Sequence, residues 1–298
     1  MRDCLHSYMK VGIVQLMAFP DGDTLASIRK IAEDPFFGAI EIASIPDDIR
    51  AEVSRILEAG KLVVGYVAQA TILAHKLDLN SLIPQQREAA ISRIKSAIDE
   101  AYSLGASQLS VLSGPVPTVD KREQARELLV DSLTQLCGYA QSKGDLRIAL
   151  EIFDRDYDKK CLIGPTEEGV QVAREVRRHY PNFGLMIDLS HLPLLKESAD
   201  QAIKAARDYL VHVHIGNCVL KDKNHPVYGD KHPRFGLAGG ENDVEQVRLF
   251  LKALMEIGYI GEGKQNVVAF EVKPLEGESP EVVVANAKRT LLEAWANL

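Results

Sequence analysis

Four short apolar stretches in the second half of the chain each carry a group able to hold a proton or a cation. They are Leu150-Glu151-Ile152, Ile187-Asp188-Leu189, Val211-His212-Val213-His214-Ile215 and Phe270-Glu271-Val272. In a strand, side chains alternate between faces, so His212 and His214 share one face and the valines and isoleucine take the other. Imidazoles and carboxylates on a buried face need partners. Taken singly, each acid has a plain alternative as a barrel-core residue bonded to a lysine or to backbone. Four on consecutive strands would need four separate accounts. Three carboxylates brought together repel, and each resists ionisation. A divalent cation removes that conflict: the donors Glu151, Asp188, His214 and Glu271 suit Mn2+, Mg2+, Co2+ or Zn2+ and leave positions open for substrate oxygens.

Bringing four strand ends to one point demands a particular scaffold. With 298 residues the chain is long for an average domain and right for one α/β barrel. Strand patterns fall at residues 11–16, 39–43, 61–68, 108–112, 146–153, 184–189, 209–216 and 266–272. Helical spacing follows behind each: after 24, then over 47–59, 84–104, 121–142, 165–179, 194–207, 243–257 and 280–298, with a polar loop expected between residue 68 and Pro84. Eight such units, with apolar strands covered on both faces, predict a (β/α)8 TIM barrel forming one domain over 1–298. No Gly-x-Gly-x-x-Gly follows the first strand, which sets a dinucleotide-binding sheet aside. In a barrel, chemistry sits at the C-terminal ends of strands, and neighbouring strands less than about 5 Å apart let four side chains converge. One connection is unusual. The loop after the seventh strand, 217–240, runs about 24 residues where two to six are typical, a length associated with function.

Composition narrows the partners. Hydrophobic residues at 46% and charged residues at 26% are those of a globular protein, and a net charge of -7 argues against a nucleic-acid surface, which needs a basic face. No stretch approaches the eighteen or so apolar residues of a membrane span. Cys4, Cys137, Cys161 and Cys218 lack CxxC spacing and read as free thiols, so a cytoplasmic location is expected.

The site motifs support a resemblance. Leu150-Glu151 with Arg155 four residues on is similar to L-E-x-x-x-R; Asp188-Leu-Ser-His191 to D-x-x-H; His212-Val-His214 to H-x-H. With Glu271 in the last strand, the chain resembles the xylose isomerase-like barrels. Its nearest likeness there is the sugar-phosphate isomerase/epimerase group of ketose 3-epimerases, hydroxypyruvate isomerases and inosose dehydratases. The resemblance implies that Glu151, Asp188, His214 and Glu271 hold a divalent metal, Mn2+ being the first expectation. It makes Glu151 and Glu271 the acid/base pair of a sugar isomerase or epimerase working through a metal-stabilised enediolate. His191 and Arg155 would contact a small carbohydrate substrate, and His232 and Arg234 of the long loop would fold over it. A homo-oligomer or a partner subunit is compatible with this.

Three departures leave the reaction open. Leu220 stands where epimerases of the group carry arginine, Tyr157 where they place an acid, and the loop 217–240 is longer than theirs. The same intermediate can instead expel a β-substituent, as in inosose dehydratases and in barrels that cleave 3-keto C-glycosides. Asp230-x-His232 also has the spacing of an extra metal pair in the related apurinic endonucleases. Gln69 and Ser113, however, replace the histidines that branch needs, and the surface is acidic.

Overall fold

The computed structural model describes residues 4–298. Its strands are β1 (Lys10–Ile13), β2 (Ala39–Ile42), β3 (Val63–Val67), β4 (Gln108–Leu112), β5 (Arg147–Glu151), β6 (Phe183–Asp188), β7 (Leu210–Gly216) and β8 (Val267–Glu271). All pair in parallel, in the order β1-β8-β7-β6-β5-β4-β3-β2. A bridge between Val14 and Glu41 brings the two ends of the sheet together. The fold is a (β/α)8 TIM barrel.

Every residue of β4 and β6 is buried, as expected where helices cover the outer face and side chains fill the interior. The helix Pro84–Ser103 shows how the outer layer is specified. Proline occupies its first turn, where a missing N–H costs nothing. Ala90, Ile91, Ile94, Ala97, Ile98 and Ala101 recur at helical spacing and form its buried stripe. Ile94 is fully buried, so cutting it to alanine would cost about 2–5 kcal/mol.

The structure corrects three local expectations. The first strand ends at Ile13, and Gln15–Ala18 is already a helical turn. Where a polar loop was expected after β3, Ala68–His75 is a helix. Its sequence has no polar stripe because Ala68, Gln69, Thr71 and Ile72 are buried on more than one side, so periodicity does not mark it. The helix expected over 194–207 is two, Leu192–Leu195 and Ala199–Ala206. Lys196 takes a left-handed conformation between them, and Ser198 opens the second with a reciprocal capping box to Gln201.

The loop 217–240 is folded against the barrel mouth. Phe235 is fully buried and anchors it. Asn217, also buried, accepts the backbone N–H groups of Cys218 and Asn242 on Oδ1 and donates Nδ2 to the Arg234 carbonyl. Gly240 is needed beside it, since a Cβ there would stand 2.5 Å from Asn217 Nδ2.

Candidate metal centre and active-site cavity

Strand register assembles the site. Asp188 on β6 pairs with His214 on β7, Gly216 on β7 pairs with Glu271 on β8, and Glu151 closes β5. Glu151, Asp188, His214 and Glu271 each offer one ligand atom, and these atoms lie within 4.8 Å of one another. His214 Nδ1 is 2.6 Å from Glu271 Oε2 and 3.7 Å from Asp188 Oδ2. Gly216 keeps the gap open, because a Cβ there would come 2.6 Å from the Glu271 carbonyl oxygen.

The donors are oriented from behind. Gln69 Nε2 donates to Glu151 Oε2 at 2.8 Å, and the Ser190 backbone N–H donates to Asp188 Oδ1 at 2.6 Å. That leaves Glu151 Oε1 and Asp188 Oδ2 buried without a hydrogen-bond partner. Such orphans are costly, and both belong to the cluster. Burial pushes the Glu151 carboxyl up to about 8, with help from the charges of Glu271 and Asp188 against the opposing pull of His191 and His214. Burial would raise Asp188 too, but the neighbouring histidines hold it well below the ordinary range. Three clustered carboxyls, of which Glu151 resists ionisation, one imidazole and two orphaned oxygens fit a divalent cation.

A second layer lies beside it. Asp230 and His232, from the long loop, are both buried. Asp230 Oδ1 is 2.8 Å from His232 Nε2 and 3.2 Å from His191 Nε2, and Lys159 Nζ sits 3.0 Å from Asp230 Oδ2. Burial alone would raise the Asp230 carboxyl; the two histidines reverse this and hold it well down. Burial would likewise lower His232, but Glu271 and Asp230 lift it to about 9. His232 has φ +51, a left-handed conformation that costs a non-glycine residue energy and is typical of functional positions. Asp188, His191 and His232 also stand close enough to share an ion. The Lys159 ammonium already supplies positive charge to that layer.

A cavity of about 260 Å3 at the barrel mouth is lined by Glu151, His214, Asp230, His232 and Glu271. The apolar part of its lining includes Leu16, Met17, Val67, Ala70 and Leu73. A larger cavity of about 450 Å3 lies outside the barrel where Leu192, Ala199 and Leu249 meet, and carries none of these groups.

A family model for the xylose isomerase-like TIM barrel matches residues 30–287. The chain belongs to that family. Two curated proteins similar to this chain are sugar epimerases by name: the L-ribulose 3-epimerase of a Methylomonas species and the D-psicose 3-epimerase of Ruminiclostridium cellulolyticum. The first is 29% identical over 76% of this chain and 68% of its own length. The second is 31% identical over 35% of this chain and 33% of its own. Among solved structures, the IolI protein with a bound zinc atom superposes with a TM-score of 0.76 at 18% identity, over 96% of this chain and 98% of that one. That likeness is one of fold.

Within this family frame, three residues expected to touch substrate do not face the cavity. Arg155 forms a two-pronged ion pair with Glu168 and also donates to the Leu162 carbonyl. Arg234 is paired with Glu278 at 2.8 Å. A local acid claims each guanidinium. His191 stands behind the wall, with Nδ1 donating to the Ile152 carbonyl at 2.9 Å and its ring 4.4 Å from that of Phe153. His232 does line the cavity. Gln69 and Lys159, which motif reading did not select, line it as well. Gln69 lies on a helix without periodicity and Lys159 in a loop, so neither carried a local signal.

Proposed function

We propose that this protein is a divalent-metal-dependent sugar isomerase or epimerase. The observation that carries the proposal is the largely buried four-donor cluster of Glu151, Asp188, His214 and Glu271, three of which line a cavity that also has an apolar part. The epimerase activity named for the curated relatives supports the substrate class. When bound by these four residues, the cation supplies positive charge to a substrate carbonyl and its neighbouring hydroxyl, and so eases loss of the proton between them.

The chain's own groups do the rest. Glu151 on β5 and Glu271 on β8 approach from strands separated by β6 and β7. One glutamate removes the carbon-bound proton and the other returns it from the opposite face, inverting the centre. Return to the adjacent carbon would move the carbonyl instead. Gln69 holds Glu151 by one oxygen and leaves the other, buried and without a hydrogen-bond partner, available to the cation. The apolar part of the lining takes the C–H face of the sugar while its hydroxyls meet the acids and imidazoles.

Elimination is the second reading, and the placement of His232 favours it. Its Nε2 is 3.6 Å from Glu271 Oε1 on the cavity wall. After a glutamate removes the proton, a β-substituent can depart with the electron pair of its bond and take a proton from His232, leaving a carbon–carbon double bond.

The test is to incubate Mn2+-loaded protein and a chelated control with L-ribulose, D-psicose, D-tagatose and D-fructose, and to identify sugars by chromatography. A new epimer or isomer formed only by the loaded protein is expected. No conversion of any ketose with Mn2+ bound one-to-one would contradict the isomerase/epimerase reading.

A further inference from the structure

Below the candidate metal cluster, inside the barrel, lies a second set of ionisable groups. Glu41 on β2 reaches across the interior to β7, where both of its oxygens meet imidazole nitrogens. Oε1 is 2.8 Å from His212 Nε2 and 2.9 Å from His214 Nε2, and Oε2 is 3.0 Å from His214 Nε2. All three residues are buried. β2 and β7 are not neighbours in the sheet, and Glu41 sits where the Val14 bridge closes the barrel.

The backbone is cut to admit this side chain. Gly65, the register partner of Glu41 on β3, would place a Cβ 2.9 Å from Glu41 Cγ. Any other residue there would push the carboxylate off its line.

The group is complete in itself. No buried side-chain nitrogen or oxygen of Glu41, His212 or His214 lacks a partner, whereas Glu151 Oε1 and Asp188 Oδ2 above them do. The lower set is therefore a support, and the upper set is where a cation is wanted. A carboxylate only accepts hydrogen bonds, so the ring nitrogen facing it must carry the proton. The same rule puts a proton on Nδ1, which faces Glu271 Oε2, until a cation displaces it; Glu41 then keeps the remaining proton on Nε2 and leaves the lone pair on Nδ1, the atom directed at Glu271 and Asp188.

We infer that Glu41, braced by His212 and given room by Gly65, is the positioning residue that fixes the tautomer and ring orientation of His214 for metal binding through Nδ1. The inference rests on the reading of His214 as a metal ligand. Partners that hold a metal-ligating histidine from behind typically matter by about 10–100-fold in metal affinity or activity.

The experiment measures metal binding without turnover. Mn2+ affinity is determined by calorimetry for wild type, Glu41→Gln, Gly65→Ala and His214→Asn. The visible spectrum of bound Co2+ and the His214 tautomer, from 15N NMR of the Zn2+ form, are recorded in parallel. Glu41→Gln should weaken Mn2+ by about 10–100-fold and alter the Co2+ spectrum. Gly65→Ala, which removes no polar group, should move both in the same direction and serves should the glutamine variant fail to fold. Wild type should show a proton on His214 Nε2. Unchanged affinity and spectrum in folded Glu41→Gln and Gly65→Ala, with binding lost in His214→Asn, would overturn this inference alone. Unchanged binding in His214→Asn would overturn the ligand assignment, and this inference with it.

Discussion

His214 Nδ1 and Glu271 Oε2 lie 2.6 Å apart on adjacent strands, a direct contact inside the four-donor cluster. Both atoms are in position to bind one cation, and Glu271, its side chain 16% exposed, is the most accessible acid of the cluster. Glu271→Gln keeps the volume but removes the base. Turnover should fall by about 10²–10⁴-fold. Stability should stay within about 0.5 kcal/mol, because no core volume is lost. Steady-state kinetics and thermal melts check both, and wild-type turnover in this variant would sink the acid/base assignment.

Metal removal has a thermodynamic signature as well as a kinetic one. A cation that binds only the folded state stabilises it by about 2.7 kcal/mol at 100 times its Kd. For a chain of 298 residues that corresponds to a rise in Tm of about 4 °C. Melts of EDTA-treated protein with and without Mn2+ should show this rise, and Glu151→Gln should reduce it.

Arg155 separates a rim ion pair from a substrate contact. Its guanidinium is committed to Glu168 and the Leu162 carbonyl. Arg155→Met should therefore cost about 1–3 kcal/mol in denaturant unfolding, from the partners it leaves unpaired. KM should barely change. A large rise in KM with unaltered stability would restore the substrate-binding role that its motif suggests.

His232→Ala distinguishes the two reactions. If His232 gives a proton to a leaving group, the variant should lose far more rate on a 3-keto-glycoside than on a simple ketose, by about 10²-fold. Aglycone release and ketose conversion are measured side by side. Equal losses on both would argue against an eliminative role for the loop.

Burial pushes the Cys137 and Cys161 thiols up to about 12. The unfolded chain ionises its thiols near 9, so above that pH it holds fewer protons than the folded one. Stability present below 9 is thus lost as pH rises toward 12, and Tm should fall across that window. At pH 8 only exposed Cys4 should react quickly with a thiol reagent, against four cysteines after denaturation. Rapid reaction of a second cysteine in the native protein would contradict this burial.

Much of the barrel was legible because each β/α unit carries its own signal, an apolar strand followed by a helical stripe such as Ala90 to Ala101. Glu151, Asp188, His214 and Glu271 stood out because an acid or imidazole inside an apolar run needs an explanation. Glu41 carries the same signal in Ala39-Ile-Glu-Ile42, but its partners lie on β7, more than 170 residues away, as the separation of 171 from His212 shows. Separation in sequence also hid Lys159, which meets Asp230 only once the long loop folds down. Arg155 and Arg234 show the opposite case, in which a local contact cannot be read from a motif. Motif spacing says nothing about whether a nearby acid, here Glu168 or Glu278, has already claimed a guanidinium.

The most direct test of the account is proton exchange at carbon. Mn2+-loaded protein is incubated in D2O with ketoses and 3-keto-glycosides and followed by NMR. The account predicts deuterium at the carbon beside the carbonyl, accompanied by an inverted centre or a moved carbonyl, and its loss in Glu271→Gln. Conversion of a sugar without any deuterium entering that carbon would contradict it.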